Sequence, residues 1–484
     1  MKIAFVSTPT RTNMPNLVPP FGVMYLASYL REKGHIVTII DIAKTRQNNS
    51  ITIKELKEYN PDLIGVSGII TAYKFVGVLA KELKKELPDI PLVIGGHVTL
   101  DNSHLLLQKF HFDYVIEGYG EKSLEYLIEY LNGKRNINCV EGLSYLKNGE
   151  VIVNTYNNTF FKNFDEYPLP AYDLVDMEYY ITNCTIEKKL ESYLNKTGKK
   201  PPLMRHFLVV ASRGCTDKCC FCVHEFGAYK GFHVHSIEHV IKNIRVLYDE
   251  YNVRIFHMGG ELFLHNIHYA TCFVEAMNMN FPDAYFSVMT RADSITPEFM
   301  GILNNSNCFS LEYGFESGSN KILKILNKRM TRDVNINAYK LIRSSDITPS
   351  VSFMVGTPGE TVDTIKDTVD ALREAGVEDG GMFFTTPYPG SRLFRWCIEQ
   401  GIIEDKDSYL DNISNRDASE LVINLTGYPD FIVKIMEILL KNRMYCNRWS
   451  FHMSLFDRFK RFIVCPLLFE LYFIYDLKLQ YGEN

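Results

Sequence analysis

Short strand-like runs, each followed by a helical one, recur along this chain in two separate series. In the first, about residues 1 to 135, the strands are Ile3–Ser7, Ile36–Asp41, Leu63–Ser67, Pro91–Ile94 and Tyr114–Ile116. The helices between and after them are Gly22–Lys33, Ile53–Tyr59, Ala72–Leu87, Leu105–Phe110 and Ser123–Leu131. Such alternation predicts an α/β domain, a doubly wound parallel sheet with helices on both faces. Ligands of such sheets bind outside the carboxyl ends of the strands. Small residues gather there: Ser67-Gly68, Gly95-Gly96-His97 and Glu117-Gly118. No G-x-G-x-x-G is present, which argues against a dinucleotide. Ordinary strand-end turns would also place glycines at these points.

The second series spans about residues 206 to 400. Its six strand-like runs are Phe207–Ala211, Val253–Met258, Tyr285–Met289, Phe309–Tyr313, Ser350–Val355 and Gly381–Thr385. Each ends in a polar or glycine-rich loop, and a β/α barrel of six units puts those loops on one rim. That rim is where barrel active sites lie.

The first loop of this rim reads S-R-G-C-T-D-K-C-C-F-C-V-H from Ser212 to His224. Cys215, Cys219 and Cys222 stand in C-x3-C-x2-C spacing. An iron–sulfur cube normally takes four thiolates. Three on one loop leave an iron position open to a non-protein ligand, as catalytic metal sites do. Zinc usually takes four protein ligands, often from two C-x2-C pairs, so a zinc site is a poorer reading, as is a set of buried structural thiols. Cys220 reads as a packed thiol.

The cysteine spacing, with Phe221 before the last cysteine, resembles that of the radical SAM enzymes. In that family the open iron chelates S-adenosylmethionine (SAM), and one electron cleaves it to methionine and a 5′-deoxyadenosyl radical. The resemblance extends to the later loops. Gly259-Gly260-Glu261 resembles the segment that meets the SAM amino group, with Glu261 the acceptor in a charge-assisted bond. Glu316 and Ser317 resemble the pair near the SAM ribose and carboxylate, and Arg291 is placed to meet a carboxylate. Gly356-Thr357-Pro358-Gly359 resembles the loop beside adenine, with Gly356 and Pro358 in its backbone path. Taken singly, these residues read equally well as helix caps, turn chemistry and a surface ion pair.

The first series is similar to the cobalamin-binding domain that precedes many radical SAM domains. The matching pieces are Pro19-Pro20-Phe21-Gly22, Leu26-Ala27, Gly34-His35 through Asp41, Pro61–Ser67, Ile94–His97 and Asp113–Glu121. Tyr119 interrupts the family's G-E-G-E. The D-x-H-x-x-G motif, whose histidine ligates cobalt in other cobalamin proteins, is absent, in keeping with this subgroup. The resemblance implies cobalamin contacts at Ser67, Gly68, Gly95, Gly96, His97, Glu117 and Gly118. His97 would hydrogen-bond a cofactor side chain or the backbone, or ligate cobalt.

The whole implies a [4Fe-4S] cluster, SAM and cobalamin, and C-methylation of a small molecule, lipid or peptide. The alternatives are a cyclase, rearranging or oxygenating enzyme that transfers no methyl, and a coupling enzyme whose first domain lacks cobalamin. A non-enzymatic iron–sulfur redox or sensor protein is the reading from another class. The electron donor would be of flavodoxin or ferredoxin type.

A chain of 484 residues exceeds one core. Its net charge of −5 gives no general reason to expect nucleic acid. The start, Met1 to Val6, has no signal-peptide layout, and no apolar run reaches membrane-span length. With eleven cysteines, this suggests reduced thiols in the cytoplasm, and an exposed iron implies an anaerobic setting.

Between the series, residues 136 to 205 read as a connection. Val140–Asn154 is a hairpin turning at Asn148-Gly149, Phe164–Leu174 an extended crossing segment, and Glu187–Lys200 a solvated helix and loop, the alternative being a cover over the active site. From 401 to 484 a helical region is expected, with Asp430–Tyr445 a helix. Trp449–Arg461 and Phe462–Tyr475 would pack on the open side of the barrel or lie on a membrane surface. Cys397, Cys446 and Cys465 are too scattered for a second cluster.

Overall fold

The computed structural model describes all residues except 15–17, 157–162, 184–187, 226–230, 261 and 448–484. The first sheet is built from β1 (Lys2–Ser7), β2 (Ile36–Asp41), β3 (Leu63–Ser67), β4 (Leu92–Gly95), β5 (Tyr114–Ile116), β6 (Leu143–Lys147) and β7 (Glu150–Val153), in the order β2-β1-β3-β4-β5-β6-β7. β1 to β5 are parallel. β1 reads as unbroken apolar sequence because both its faces are covered. Ala4 and Val6 join Ile64, Val66 and Ile94 in a core on one face. Ile3 and Phe5 join Leu63, Val93 and Ile116 on the other. Helices Phe21–Glu32 and Gly120–Leu131 cover the second face, and Asn49–Tyr59 and Tyr73–Glu86 the first. Leu105–Lys109 forms a π turn.

The hairpin β6–β7 is not confined to the connection. β6 pairs antiparallel with β5, so it extends the first sheet. The chain also returns to this domain later. Leu393, Phe394, Cys397, Tyr409, Leu410 and Ile413 enter the core of its first face. Asp407 receives Lys109 at 2.5 Å and the Tyr73 hydroxyl at 2.8 Å.

The second sheet contains β8 (His206–Val210), β11 (Ile255–Gly259), β12 (Tyr285–Met289), β13 (Cys308–Glu316), β14 (Thr348–Val355) and β15 (Gly381–Phe384), all parallel. A small antiparallel pair, β9 (Ser212–Cys215) and β10 (Gly231–Val234), follows β8. The order β15-β14-β13-β12-β11-β8 leaves the two ends unpaired, so the sheet is a half-barrel. Its convex face carries Phe207, Phe256, Phe286, Leu311, Tyr313 and Phe353 into the helix-covered core. The intervening residues His257, Ser287, Glu312 and Ser350 give the concave face a polar strip joined by hydrogen bonds from β11 to β12 and β14 to β13.

Helix Lys188–Thr197, expected to be solvated, is a plug. Leu190 and Tyr193 pack on Ile255, Tyr285 and Phe309 at the amino ends of the strands, away from the functional rim. Helix Asp430–Asn447 packs against helix Val362–Ala375, on the convex side of the half-barrel. The expected tail segments Trp449–Arg461 and Phe462–Tyr475, and with them Cys465, lie outside the described residues. Among the described residues no helix is long and apolar enough to cross a membrane.

Candidate active site

The cysteine loop leaves β9 at Cys215 and is fastened at several points. Asp217 N–H donates to Cys215 Sγ at 3.4 Å, and the Asp217 carboxylate pairs with Arg291. Arg291 also makes a two-pronged contact with Asp293, at 2.9 and 2.8 Å. Asn327 donates to the Lys218 carbonyl. Cys220 N–H donates to Leu326 O at 2.9 Å, and Cys220 O accepts from Leu393 N–H at 2.8 Å. Cys219 is buried, whereas Cys215 and Cys222 are half-buried. The Cys220 thiol packs among Ile322, Leu326 and Met354, with Phe221 alongside, as expected of a packed thiol.

Burial pushes the Cys219 thiol up to about 12, against the opposing pull of Lys328. A metal must therefore displace its proton on binding. Lys328 is itself largely buried, its side chain 13% exposed, and pairs with Glu316 at 2.7 Å. Glu316 sits at φ +60 at the end of β13, where the register with β14 shifts. A Cβ on Gly314 would stand 2.1 Å from Glu316 Oε1 and 2.8 Å from Lys328 Nζ, so glycine there makes room for the ion pair.

The other loops lie on the same rim. Gly260 has φ +119, and a Cβ there would fall 2.1 Å from Ser212 Oγ. The Gly259-Gly260 turn thus lies directly on the start of the cysteine loop. Among the described residues Ser212 Oγ is buried without a hydrogen-bond partner. Glu261 is outside the described residues. The Ser317 hydroxyl meets Thr368 Oγ1 at 3.2 Å and accepts from Ser319 N–H at 3.1 Å, so it is turned toward helix Val362–Ala375. Gly356 is buried under Val433, and Pro358 is half-exposed.

The loop from Gly356 to Thr361 is clamped by Glu360, whose Oε2 accepts from Gly356 N–H at 2.6 Å and Thr357 N–H at 3.2 Å. Desolvation raises its pKa from 4.5 to about 7, against those two hydrogen bonds. Between pH 4.5 and 7 the folded chain holds a proton that the unfolded chain has lost, so this group's contribution to stability falls as pH rises. Ionising it costs about 3 kcal/mol, in full above pH 7. Glu360→Gln keeps an oxygen for both donors and removes the titration. Thermal unfolding is expected to show the variant gaining on the wild type from pH 5 to pH 8. A gap that does not change with pH would refute the assignment.

The first domain has a cavity of about 400 Å³ at the carboxyl ends of its strands. This is a volume in the range of small-molecule sites. Ser67, Gly68, Gly95, Gly96, His97 and Gly118 line it, and it runs inward past Phe5 and Gly65. Gly96, at φ +87, comes so near Gly68 that a Cβ would meet Gly68 O at 2.5 Å. Glu117 is not in this lining. It is packed near Asp101, Arg395 and Lys406, and its carboxyl is pushed up by burial and then by Asp101. Tyr119 lines the cavity, as do Glu121 of the first domain and Val210 and Arg213 of the second. Sequence reasoning missed Arg213, Asp217, Lys328, Glu121 and Glu360. The first two stand inside the cysteine loop itself, and that position was the available signal.

A parallel α/β domain with a strand-end cavity, joined to a half-barrel whose first loop carries the C-x3-C-x2-C cysteines, defines a two-domain cofactor enzyme. The B12 binding domain model matches residues 8–128, and the radical SAM superfamily model matches residues 209–372. The chain belongs to the cobalamin-binding radical SAM enzymes. It is 28% identical over 408 residues to an uncharacterised methyltransferase of Pyrococcus horikoshii, covering 83% of this chain and 84% of that protein. It is 24% identical over 401 residues to the anaerobic magnesium-protoporphyrin IX monomethyl ester cyclase of Rubrivivax gelatinosus, covering 81% and 68%. Among solved structures it resembles the radical SAM methyltransferase TsrM of Kitasatospora setae, with cobalamin and a [4Fe-4S] cluster bound. The TM-score is 0.64 at 19% identity, covering 82% of this chain and 75% of that one.

The cofactors of the family are a [4Fe-4S] cluster, SAM and cobalamin. The residues present fit them. Three thiols share one fastened loop, the glycine turn Gly259-Gly260 closes on it, and the first domain keeps a strand-end cavity whose rim tolerates only glycine at 96.

Proposed function

We propose that this enzyme transfers a methyl group to an unactivated carbon of a small molecule. The observation that carries the reading is the position of β9. Arg213 lines the first-domain cavity, and Cys215, two residues further on, begins the cluster loop. Cobalamin in that cavity and a cluster on that loop would thus face one reaction space. The bound cofactors would supply the radical that abstracts hydrogen and the methyl group that replaces it.

The chain's own part is positioning. Cys215, Cys219 and Cys222 hold the cluster. Glu316, Gly259-Gly260-Glu261 and the loop of Gly356 and Pro358 frame SAM, while Ser317 is turned to helix Val362–Ala375 and Arg291 holds the cysteine loop through Asp217. Ser67, Gly68, Gly95, Gly96, His97 and Gly118 hold cobalamin. A flavodoxin or ferredoxin supplies the electron, and the setting is anaerobic.

The similarity to a cyclase keeps one rival reading, radical chemistry without methyl transfer. Anaerobic reconstitution with iron, sulfide and hydroxocobalamin, then SAM turnover with a strong reductant, separates the two. Retained cobalamin with both 5′-deoxyadenosine and S-adenosylhomocysteine among the products is expected. Retained cobalamin with 5′-deoxyadenosine alone, substrate being present, would overturn methyl transfer.

A further inference from the structure

Away from the cofactor loops, three potential metal ligands converge where the crossing segment meets the half-barrel. Asp165 comes from that segment, His235 follows β10, and His239 lies in the first turn of helix Ile237–Glu250. One ligand atom from each lies within 4.8 Å of the others. Asp165 Oδ1 is 3.0 Å from His235 Nδ1 and 3.8 Å from His239 Nδ1. The ligand atoms of a tetrahedral zinc ion stand about 3.3 Å apart, as bonds of about 2.0–2.1 Å require.

His235 stands just before the N-cap Ser236 and His239 in the helix's first turn, and their rings stack with centroids 3.9 Å apart. Among the described residues, His239 Nε2, the ring nitrogen other than the one nearest Asp165, is buried with no hydrogen-bond partner. A buried polar atom left so calls for an explanation, and an ion that Nε2 reaches once the ring is turned over about its Cβ–Cγ bond is one.

We propose that Asp165, His235 and His239 form a divalent-metal site of the zinc class that fastens the crossing segment to the half-barrel. Two imidazoles and one carboxylate suit a borderline dication better than calcium or magnesium, which prefer oxygen. The ion would take one nitrogen from each ring and one Asp165 oxygen, with water in the fourth position. The site is remote in role from the chemistry. Phe164, next to Asp165, stacks on His235 at 4.0 Å, and Arg213 lies over the Phe164 ring, so an ion here would steady the wall of the cobalamin cavity. The competing account is a purely hydrogen-bonded junction, in which Asp165 accepts from His235 and from Ser236 N–H.

The test uses full-length protein with its cluster reconstituted, so that the cysteines are occupied, then exposed to zinc chloride and desalted. Plasma mass spectrometry is expected to find about one zinc beside about four irons per chain. His239→Ala and His239→Phe, the second of which keeps a ring against His235, are expected to lose the zinc and keep the iron. Zinc is also expected to raise the unfolding temperature of the wild type and not of either variant. No retained zinc in the wild type, or equal zinc in wild type and variants, would overturn the proposal in favour of the hydrogen-bonded junction.

Discussion

Cys219→Ala is expected to abolish both the cluster and SAM cleavage, whereas Cys220→Ala is expected to spare both. The two cysteines are adjacent, and both are buried, so burial and position along the chain do not separate them. Their surroundings do. Cys220 Sγ packs among Ile322, Leu326 and Met354, and its structural work is done by its backbone, which alanine retains. The cost of that truncation is about 1–2 kcal/mol of stability. Cys219 faces Lys328 and Glu316, a polar environment that a packed thiol does not need. Its loss leaves two thiolates where the cluster needs three, and 5′-deoxyadenosine formation is expected to fall about a thousandfold or more, equivalent to at least about 4 kcal/mol. Iron content and the visible absorbance of the reconstituted cluster check the binding half, and product assay the catalytic half. Equal iron in the two variants would remove Cys219 from the ligand set.

The sequence shows its parallel strands well, since a strand covered on both faces reads as a continuous apolar run, as Ile3–Val6 does. The cysteine loop and the strand-end glycines are legible because their chemistry is local. The structure adds what distant pairing supplies. Helix Lys188–Thr197 hides Leu190 and Tyr193 among lysines, so its buried face is invisible until the strand ends it plugs are in place. The hairpin β6–β7 is readable as a hairpin, but its pairing to β5 is not. Arg291 reads as a cation placed to meet a carboxylate, but that one of its partners is Asp217, 74 residues earlier, is not legible there. Lys328 sits in an ordinary charged run, and only the fold buries it against Glu316. Glu117 shows the opposite case, a residue in the right motif that the structure places beside Asp101, Arg395 and Lys406 and outside the cavity lining.

Arg213→Met is expected to be the most damaging substitution outside the cysteines. Arg213 donates to Glu121 at 2.7 Å, and both side chains are largely buried, 14% and 4% exposed. The guanidinium also lies over the rings of Tyr25, Phe164 and Tyr119 at 4.6, 5.4 and 5.5 Å. Methionine keeps much of the packing but leaves the Glu121 carboxylate buried and unpaired, at a cost of about 3–5 kcal/mol. Adding Glu121→Leu removes the stranded charge, so the double variant is expected to recover most of that loss. A double-mutant cycle in urea measures the coupling, expected at about 2–3 kcal/mol. Cobalamin retention should behave differently, since both residues line the cavity. The double variant restores a dry interface, not the charged wall, and is expected to remain poor at holding cobalamin. Recovery of stability without recovery of binding would separate the pair's ligand role from its structural one. Recovery of both would make it only a fastening between domains. A single-variant loss below about 1 kcal/mol would show the pair to be screened by solvent, leaving the contacts of Leu393 to Ile413 to hold the domains together.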